Sequence, residues 1–591
     1  MRIDPKAKNI PLTARQHFFA SCWFNMVHQH SLDSHRVRTM NPRNVLRELL
    51  RMHEAAHPND EDRGMVRDEA IVVLCADPIL TQPPAARIAT TLIGLLKAES
   101  KARPGSSSLA QHFTRELLDF IESAYVGCSL DLLRKMLVPP AGAEEEDRRA
   151  EVSALTCGLL STLADEGASL EALFQLYRQI LVPLEGPKKY VFERKLDLLA
   201  RILKGTPTSH RVLFRIDSIK SAEHYPPSMG GITFSRKPKG WDCCHRAVAT
   251  YLTSHPSRVF AEVQVEAKDA RAAGRDAYGR VSNVLDLARF EYEPERVHLA
   301  EDFLIVDAAR PDRIRRHRIP KLVPNPDGIT GLPDLQGFVQ SVDELLSAER
   351  FSQEGRDRVL SAFRLYRLGA DANSFESKLA NWWTAIEFLV RGLKGGTKIG
   401  SAVENNVTPV LCLAYARTLL LDARYTIVSL PEPLIDPVTK APLELRREPA
   451  ELLRIFARAD IRAEVANAFS KEPYLQWKIS QVLDAITQPA AYRCLLREHE
   501  RRIRWQIQRI WRARCDIVHS ARRAVSESLL CANLEFYLKM TLISLLAQLR
   551  GVKTLSGPEE FFERQLYRYQ RLTEDLEAGS SAALEANVAE S

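Results

Sequence analysis

The chain has 591 residues, 45% of them apolar and 27% charged, which is too long for one hydrophobic core and too apolar for extended disorder, so about three or four domains are expected. Its 82 basic against 75 acidic residues leave a formal charge of +7, a mild excess that permits nucleic acid without demanding it. No run of eighteen apolar residues occurs and the start, Met1-Arg2-Ile3-Asp4-Pro5-Lys6, is charged, so the expectation is a cytoplasmic protein with no leader and no membrane contact.

Up to about Thr206 the apolar spacing is helical almost throughout. Asn41-Pro42 opens a helix carrying Leu46, Leu49 and Leu50; Ala86 to Ala98 carries Ile88, Leu92, Leu95 and Leu96; Leu109 to Ala124 carries Phe113, Leu117, Leu118 and Ile121. Further helices are predicted over Ala150–Leu163, Leu170–Leu181 and Tyr190–Leu203, punctuated by Pro139-Pro140 and by Pro183 to Pro187. No fixed-period repeat marks this array as a solenoid. His28, His30 and His35 lack a carboxylate at ligand spacing, and residues 1 to 207 are read as one all-helical domain.

The texture changes near Ser209. Arg211–Asp217, Gly231–Phe234, Arg258–Glu266 and Phe303–Val306 are strand-like, and an alanine-spaced helix with Ala273, Ala277, Val281 and Leu285 lies among them, giving a small α+β domain over 208–310. Asp242-Cys243-Cys244-His245 is a poor metal site, because adjacent thiolates do not easily share one tetrahedral ion and no second pair follows. The ten cysteines show no Cys-x-x-Cys spacing and read as free thiols.

A proline-rich linker is expected over 311–334, followed by helices over Phe338–Leu346, Arg356–Leu368, Phe375–Leu393, Ala402–Leu420, Leu452–Phe469, Tyr474–Ile486, Tyr492–Arg522 and Glu527–Leu549. Val428–Leu445, with four prolines, is a loop inserted in that bundle. The bundle spans 335–555, and 556–591 is read as a helix followed by a disordered tail. The fold class is therefore mainly α, with an N-terminal helical array, a small central α+β domain and a C-terminal antiparallel helical bundle.

Chemistry concentrates in the last long helix. From Arg497 to Arg523 there are nine arginines, no lysine and three acids, with Trp505 and Trp511 interleaved, a composition suited to phosphate binding and base stacking; Arg509, Arg512 and Arg522 belong to it. Within it, Arg512-Ala513-Arg514-Cys515-Asp516-Ile517-Val518-His519 sets arginines at a fixed interval before a histidine. Cleavage of RNA without a metal needs such a pair: an imidazole that moves protons near neutral pH and a permanent cation against the charge building on the phosphate. At about 100° per residue, Arg512, Asp516 and His519 share one stripe, whereas Arg514 lies about 160° from Arg512. The bland reading is an ordinary Arg512–Asp516 surface pair.

Arg514 to His519 resembles the Arg-x4–6-His motif of HEPN domains, helical domains named for higher eukaryotes and prokaryotes. Ala385-Ile386-Glu387-Phe388-Leu389 is similar to the Ala-x-Glu-x-Leu helix of the Apea-like branch, and the helix opening at Ala267-Lys268-Asp269-Ala270 resembles a segment that often precedes such domains. The resemblance implies a HEPN-like bundle and a homodimer sharing a two-fold site. It also implies a toxin-like endoribonuclease of anti-phage defence or toxin–antitoxin biology, acting without cofactor or metal.

On that reading Arg514 and His519 are catalytic, Arg512, Arg509 and Arg522 hold RNA, Glu387 and Asp516 orient the imidazole, and the N-terminal helices receive a protein trigger or antitoxin. Glu387 has a blander alternative, an i, i+4 ion pair with Arg391. Cys515 stands where the family often has Asn, removing a polar neighbour of the arginine. The alternative function is a non-catalytic dimerisation or RNA-binding module.

Overall fold

The aromatic start of the chain finds its partners more than four hundred residues away. Helix α1 (Ala14–Val27) is opened by a capping box, the Thr13 hydroxyl accepting from the Gln16 N–H and the Gln16 side chain from the Thr13 N–H. It buries Phe18, Phe19 and Trp23, and Phe18 meets Tyr474 and Trp477 edge-on, each at 5.4 Å between centroids. Tyr474 also donates to Asp33 at 2.9 Å. The structure, a computed structural model, describes residues 1–7, 10–54, 60–99, 108–139, 147–182, 191–218, 225–241, 246–253, 259–291, 297–319, 335–347, 349–372, 374–393, 398–520, 527–551 and 555–590.

Helices α2 (Pro42–Glu54), α3 (Asp60–Ala76), α4 (Ala85–Glu99) and α5 (Ser108–Phe120) follow, the last running through a π-helical turn at Ile121–Tyr125 into α6 (Val126–Leu137), and then α7 (Arg149–Asp165). The chain forms two compact units, one of Met1–Gly158, Pro187–Tyr190 and Val323–Ser591, the other of Leu159–Gly186 and Val191–Leu322. The expected boundary at residue 207 is thereby corrected: most of the N-terminal helices share a unit with the C-terminal bundle. Helical periodicity shows that an apolar face exists but not which distant face covers it.

The second unit contains α8 (Leu170–Leu176), α9 (Phe192–Leu203) and a six-stranded antiparallel sheet. Its strands are β1 (Thr208–Ser218), β2 (Ser228–Met229), β3 (Ile232–Ser235), β4 (Val259–Ala267), β5 (Val297–Asp307) and β6 (Arg315–Arg318), in spatial order β2-β3-β4-β1-β5-β6. Helices α10 (Arg246–Thr253) and α11 (Ala270–Glu291) are interleaved in sequence. Val212, Phe214 and Phe303 pack with Ala273, Ala277 and Val281 of α11, while Leu213, Phe260 and Leu304 pack with Val248 and Tyr251 of α10. Both faces of the central strands are covered, which is why Val212, Leu213 and Phe214 of β1 are apolar in succession. Asp269 caps α11, accepting from the N–H groups of Arg271 and Ala272 at 2.9 Å each. β6 lies inside the span expected to be linker. Its Arg-Arg-His-Arg sequence has no apolar alternation and is held instead by pairing with β5, Arg316 to Asp302 and Arg318 to Glu301.

The bundle comprises α12 (Leu335–Ser347), α13 (Gln353–Asp371), α14 (Phe375–Val390), α15 (Ile399–Leu413), α16 (Tyr415–Val428), α17 (Pro449–Ala457), α18 (Ala459–Ala468), α19 (Pro473–Thr487), α20 (Pro489–Ser520), α21 (Glu527–Gly551), α22 (Pro558–Glu577) and α23 (Ser581–Glu590). Among its described residues the one β feature is an isolated bridge, Ile435 to Pro442, in the proline-bearing loop. Leu452–Phe469, expected as one helix, is two, because Arg458 leaves helical geometry (φ −69°, ψ 124°) and clamps Asp436 and Asp460. Ala402–Leu420 likewise divides at Ala414.

Trp383, Ile386, Leu389, Ile507, Ile510, Leu534, Leu538 and Leu542 are buried; Phe388 and Ile517, both in the last turn of a helix, are only partly so. The expected disordered tail is corrected by α23, whose Leu584 and Val588 are buried, whose Asn587 donates to the Leu413 carbonyl at 3.0 Å, and whose Glu585 pairs with Arg454. Only two of its buried side chains are apolar, too few to stand out in an Ala/Glu/Ser-rich sequence. In α21 the segment Leu529–Gly551 is long and apolar enough to cross a membrane by length and composition, and 67% of its apolar window is buried inside the protein.

Close approach in the sheet unit supplies a stability test. A Cβ added at Gly274 would lie 2.1 Å from Cζ of the fully buried Phe303 ring, whereas one at Gly279, on the same helix, meets nothing. Gly274→Ala is therefore expected to destabilise by about 1–3 kcal/mol and Gly279→Ala to stabilise by about 0.5–1 kcal/mol. Equal shifts in the thermal midpoints of the two variants would contradict this packing.

Candidate functional site

Helix α20 passes through the bundle with Ile503, Ile507, Ile510 and Ala513 buried, so the arginines interleaved with them are carried to depths where a guanidinium needs a counterion. Arg504 pairs with Glu404 of α15 at 2.9 Å and with Glu500 at 3.0 Å, and Tyr569 donates to Glu500 at 2.7 Å. Five residues on, Arg509 donates through Nε to Glu48 at 2.9 Å, through Nη1 to Gln506 at 2.5 Å and through Nη2 to Glu69. Its fork is 8% exposed and fully engaged. Arg512 donates to the other oxygen of Glu48 at 2.6 Å and to Asp62 at 3.2 Å. Glu48 lies on α2, Asp62 and Glu69 on α3.

The three carboxylates are not equivalent. Burial would raise the Glu48 carboxyl, but Arg509 and Arg512 together outweigh it and hold it below the usual range. Glu69 is raised, because burial dominates and Arg509, whose charge Glu48 shares, offsets it only in part. Asp62 is 22% exposed and sits at the rim.

Arg514 goes the other way. Its guanidinium lies 3.9 Å from Glu387 on α14 and 5.4 Å from the ring centre of Trp511, while the Trp383 indole N–H donates to the other oxygen of Glu387 at 2.5 Å. Trp383 and Trp511 pack at 5.5 Å, and Gly400 of α15 lets Trp511 approach, since a Cβ there would stand 2.8 Å from its ring. Trp511, expected as a stacking platform for bases, is thus packed among Trp383, Gly400 and Arg514; Trp505 carries Arg501 over its ring at 5.1 Å.

The structure brings Arg514 and Glu387 together and separates both from Arg509 and Arg512. Glu387 does not form the i, i+4 pair with Arg391, because α14 ends at Val390 and Arg391 has turned to extended geometry (ψ 135°). Arg512 pairs with Glu48 and Asp62 instead of Asp516, which is exposed. Cys515 is half-buried; burial raises its thiol despite the opposing influence of Arg514, so it stays protonated at neutral pH. His519 occupies the last turn of α20, and its side chain lies outside the described residues, as does all of Arg522. The other histidine of this region, His499, is stacked on Tyr415 at 3.7 Å and 6°, and burial, with Arg502, lowers it to about 3.

Trp383, Gly400, Glu48, Asp62 and Glu69 were not legible as part of this region. The Trp383–Glu387 spacing of four could have signalled a side-chain hydrogen bond; the carboxylates of α2 and α3, 440 to 464 residues from their arginines, left no local trace. Among the described residues no group of three His, Cys, Asp or Glu side chains is placed to hold a metal ion. Asp242-Cys243-Cys244-His245 lies outside those residues. No protein-family model matches the chain, nor does any curated protein or solved structure.

Two measurements check this electrostatic picture. Glu48→Gln leaves two sunken guanidiniums undercompensated and is expected to cost about 3–5 kcal/mol, with Glu69→Gln costing distinctly less because its charge is already disfavoured; equal losses in denaturant unfolding would contradict the assignment. His499 titrates near 6.5 when unfolded and about 3 when folded, so protonation of the unfolded state removes stability as pH falls through that interval. His499→Phe should flatten the acid slope between pH 6.5 and 3, by up to about 1.4 kcal/mol per pH unit. An unchanged slope would show that the ring is solvated.

Proposed function

We propose that this protein is an endoribonuclease that cleaves RNA without a metal, through a HEPN-like C-terminal bundle acting as a homodimer, and that it serves as a toxin-like effector in anti-phage defence or toxin–antitoxin biology. The observation that carries the reading is the Arg514–Glu387 pair, built from two helices over the Trp383–Trp511 pedestal, with His519 one and a half turns further along the arginine's own helix. An arginine braced on one side by a carboxylate and an indole presents a fixed cation rather than a wandering one.

In the reaction, His519 takes the proton of a ribose 2′-OH as its oxygen attacks the adjacent phosphorus. Arg514 stabilises the charge on the non-bridging oxygens, and the bond to the 5′-oxygen breaks as that oxygen gains a proton from an imidazolium, which the second subunit's copy of the same histidine can supply. The products are a 2′,3′-cyclic phosphate and a 5′-hydroxyl. A two-fold arrangement lets the arginine of one helix meet the histidine of the other, which answers their separation of about 140° around a single helix.

A second reading, a non-catalytic RNA-binding or dimerisation module, is favoured by the protonated Cys515 thiol where the family often has Asn, and by the engagement of Arg509 and Arg512 with carboxylates. The two separate on total RNA in EDTA. His519→Ala is expected to lower cleavage by about 10²-fold or more with an unchanged thermal midpoint and RNA affinity, and Arg514→Ala to weaken cleavage and binding together. Binding without cleavage in the wild type and in His519→Ala would replace the enzyme with the module.

A further inference from the structure

Buried ion pairs do not in general stabilise a fold more than apolar side chains of the same volume would, so stability alone does not account for a cationic lattice on α20. What distinguishes this lattice is its shape. Glu48 divides its two oxygens between two guanidiniums, 2.9 Å to Arg509 Nε and 2.6 Å to Arg512 Nη2, which is how the non-bridging oxygens of a phosphate engage a pair of arginines. The pattern continues outward: Asp62 takes the other side of Arg512 at 3.2 Å, and Glu61 of the same helix faces Lys398, the residue that opens α15, at 3.8 Å. Carboxylates of α2 and α3 thus answer the cations of α20 and α15 from a buried end at Glu69 to an exposed end at Glu61, whose pair with Lys398 is more than half exposed on both sides. At the buried end the match is imperfect, since Glu69 is raised by burial and by the nearby charge of Glu48.

We infer that the α2–α3 pair is an internal mimic of an RNA backbone: it occupies Arg512 and Lys398, and more deeply Arg509, and must draw back at its exposed end before a phosphate chain can lie along this face of α20. The inference rests on the RNA reading above and adds to it a closed state. Arg514, which faces Glu387, is outside the clamp, so the clamp governs RNA seating and leaves the cation of the proposed reaction in place.

The test uses the full chain with His519→Ala to prevent turnover, a fluorescent single-stranded RNA 20-mer as the probe, and EDTA throughout. Glu61→Gln/Asp62→Asn removes the exposed carboxylate and the rim carboxylate while Arg512 keeps Glu48, and is expected to bind the probe about five-fold or more tightly than the parent, because weakening the closed state raises the competent fraction. Glu54→Gln/Asp68→Asn, an equal charge change at exposed acids of the same two helices, should alter affinity by less than about two-fold. Hydrogen exchange over 42–54 and 60–76 in the parent should quicken when RNA is added. Equal affinities for parent and Glu61→Gln/Asp62→Asn, with unchanged exchange, would overturn the clamp while RNA binding stands. Failure of every variant to bind the probe would overturn both.

Discussion

A guanidinium taken out of water without a counterion costs several kcal/mol, and α20 takes Arg509 almost completely out of water. That single requirement organises much of this face of the unit. Arg509 recruits Glu48 and Glu69, Glu48 in turn recruits Arg512, and Arg512 recruits Asp62, so helices separated by more than four hundred residues of sequence are fixed in register by charge as well as by apolar packing. Arg504 repeats the device one turn and a half earlier with Glu404 and Glu500.

The same helix then turns a different face to α14. There Arg514 meets one carboxylate, Glu387, at 3.9 Å, beside the Trp511 ring at 5.4 Å and the Cys515 thiol. Two carboxylates compensate Arg509, whereas Arg514 has a single and longer carboxylate contact. The arginines of α20 thus differ in how many carboxylates surround them and how deeply they lie, features that composition along the helix conceals.

Much of the helical content was legible in the sequence because 3.6-residue spacing survives in any context; α2, α4, α14, α19 and α21 fall within a few residues of expectation. The strands were legible where they alternate or run apolar, as in β4 and β1, and illegible in β6, which is basic throughout and owes its state to β5. The motifs on each helix single out Arg514 and Glu387, but with Glu387 expected beside the imidazole or Arg391; its pair with Arg514 was not expected. Nor was the fate of Arg509 and Arg512, since their partners carry no motif and their own spacing suggests a solvated or phosphate-binding stripe. Trp511 was misread for the same reason: an indole among arginines suits base stacking, and only Gly400 and Trp383 reveal that it is packed.

The central claim is that α20 delivers a braced arginine and a histidine to a 2′-hydroxyl attack on RNA. The chemistry of the cut ends tests it most directly, because end groups report the nucleophile irrespective of rate. RNA incubated with the wild-type protein in EDTA should yield, by mass spectrometry, fragments ending in a 2′,3′-cyclic phosphate and beginning with a 5′-hydroxyl, and neither end should accumulate with His519→Ala. Fragments with 3′-hydroxyl and 5′-phosphate ends, or intact RNA under every condition, would contradict it.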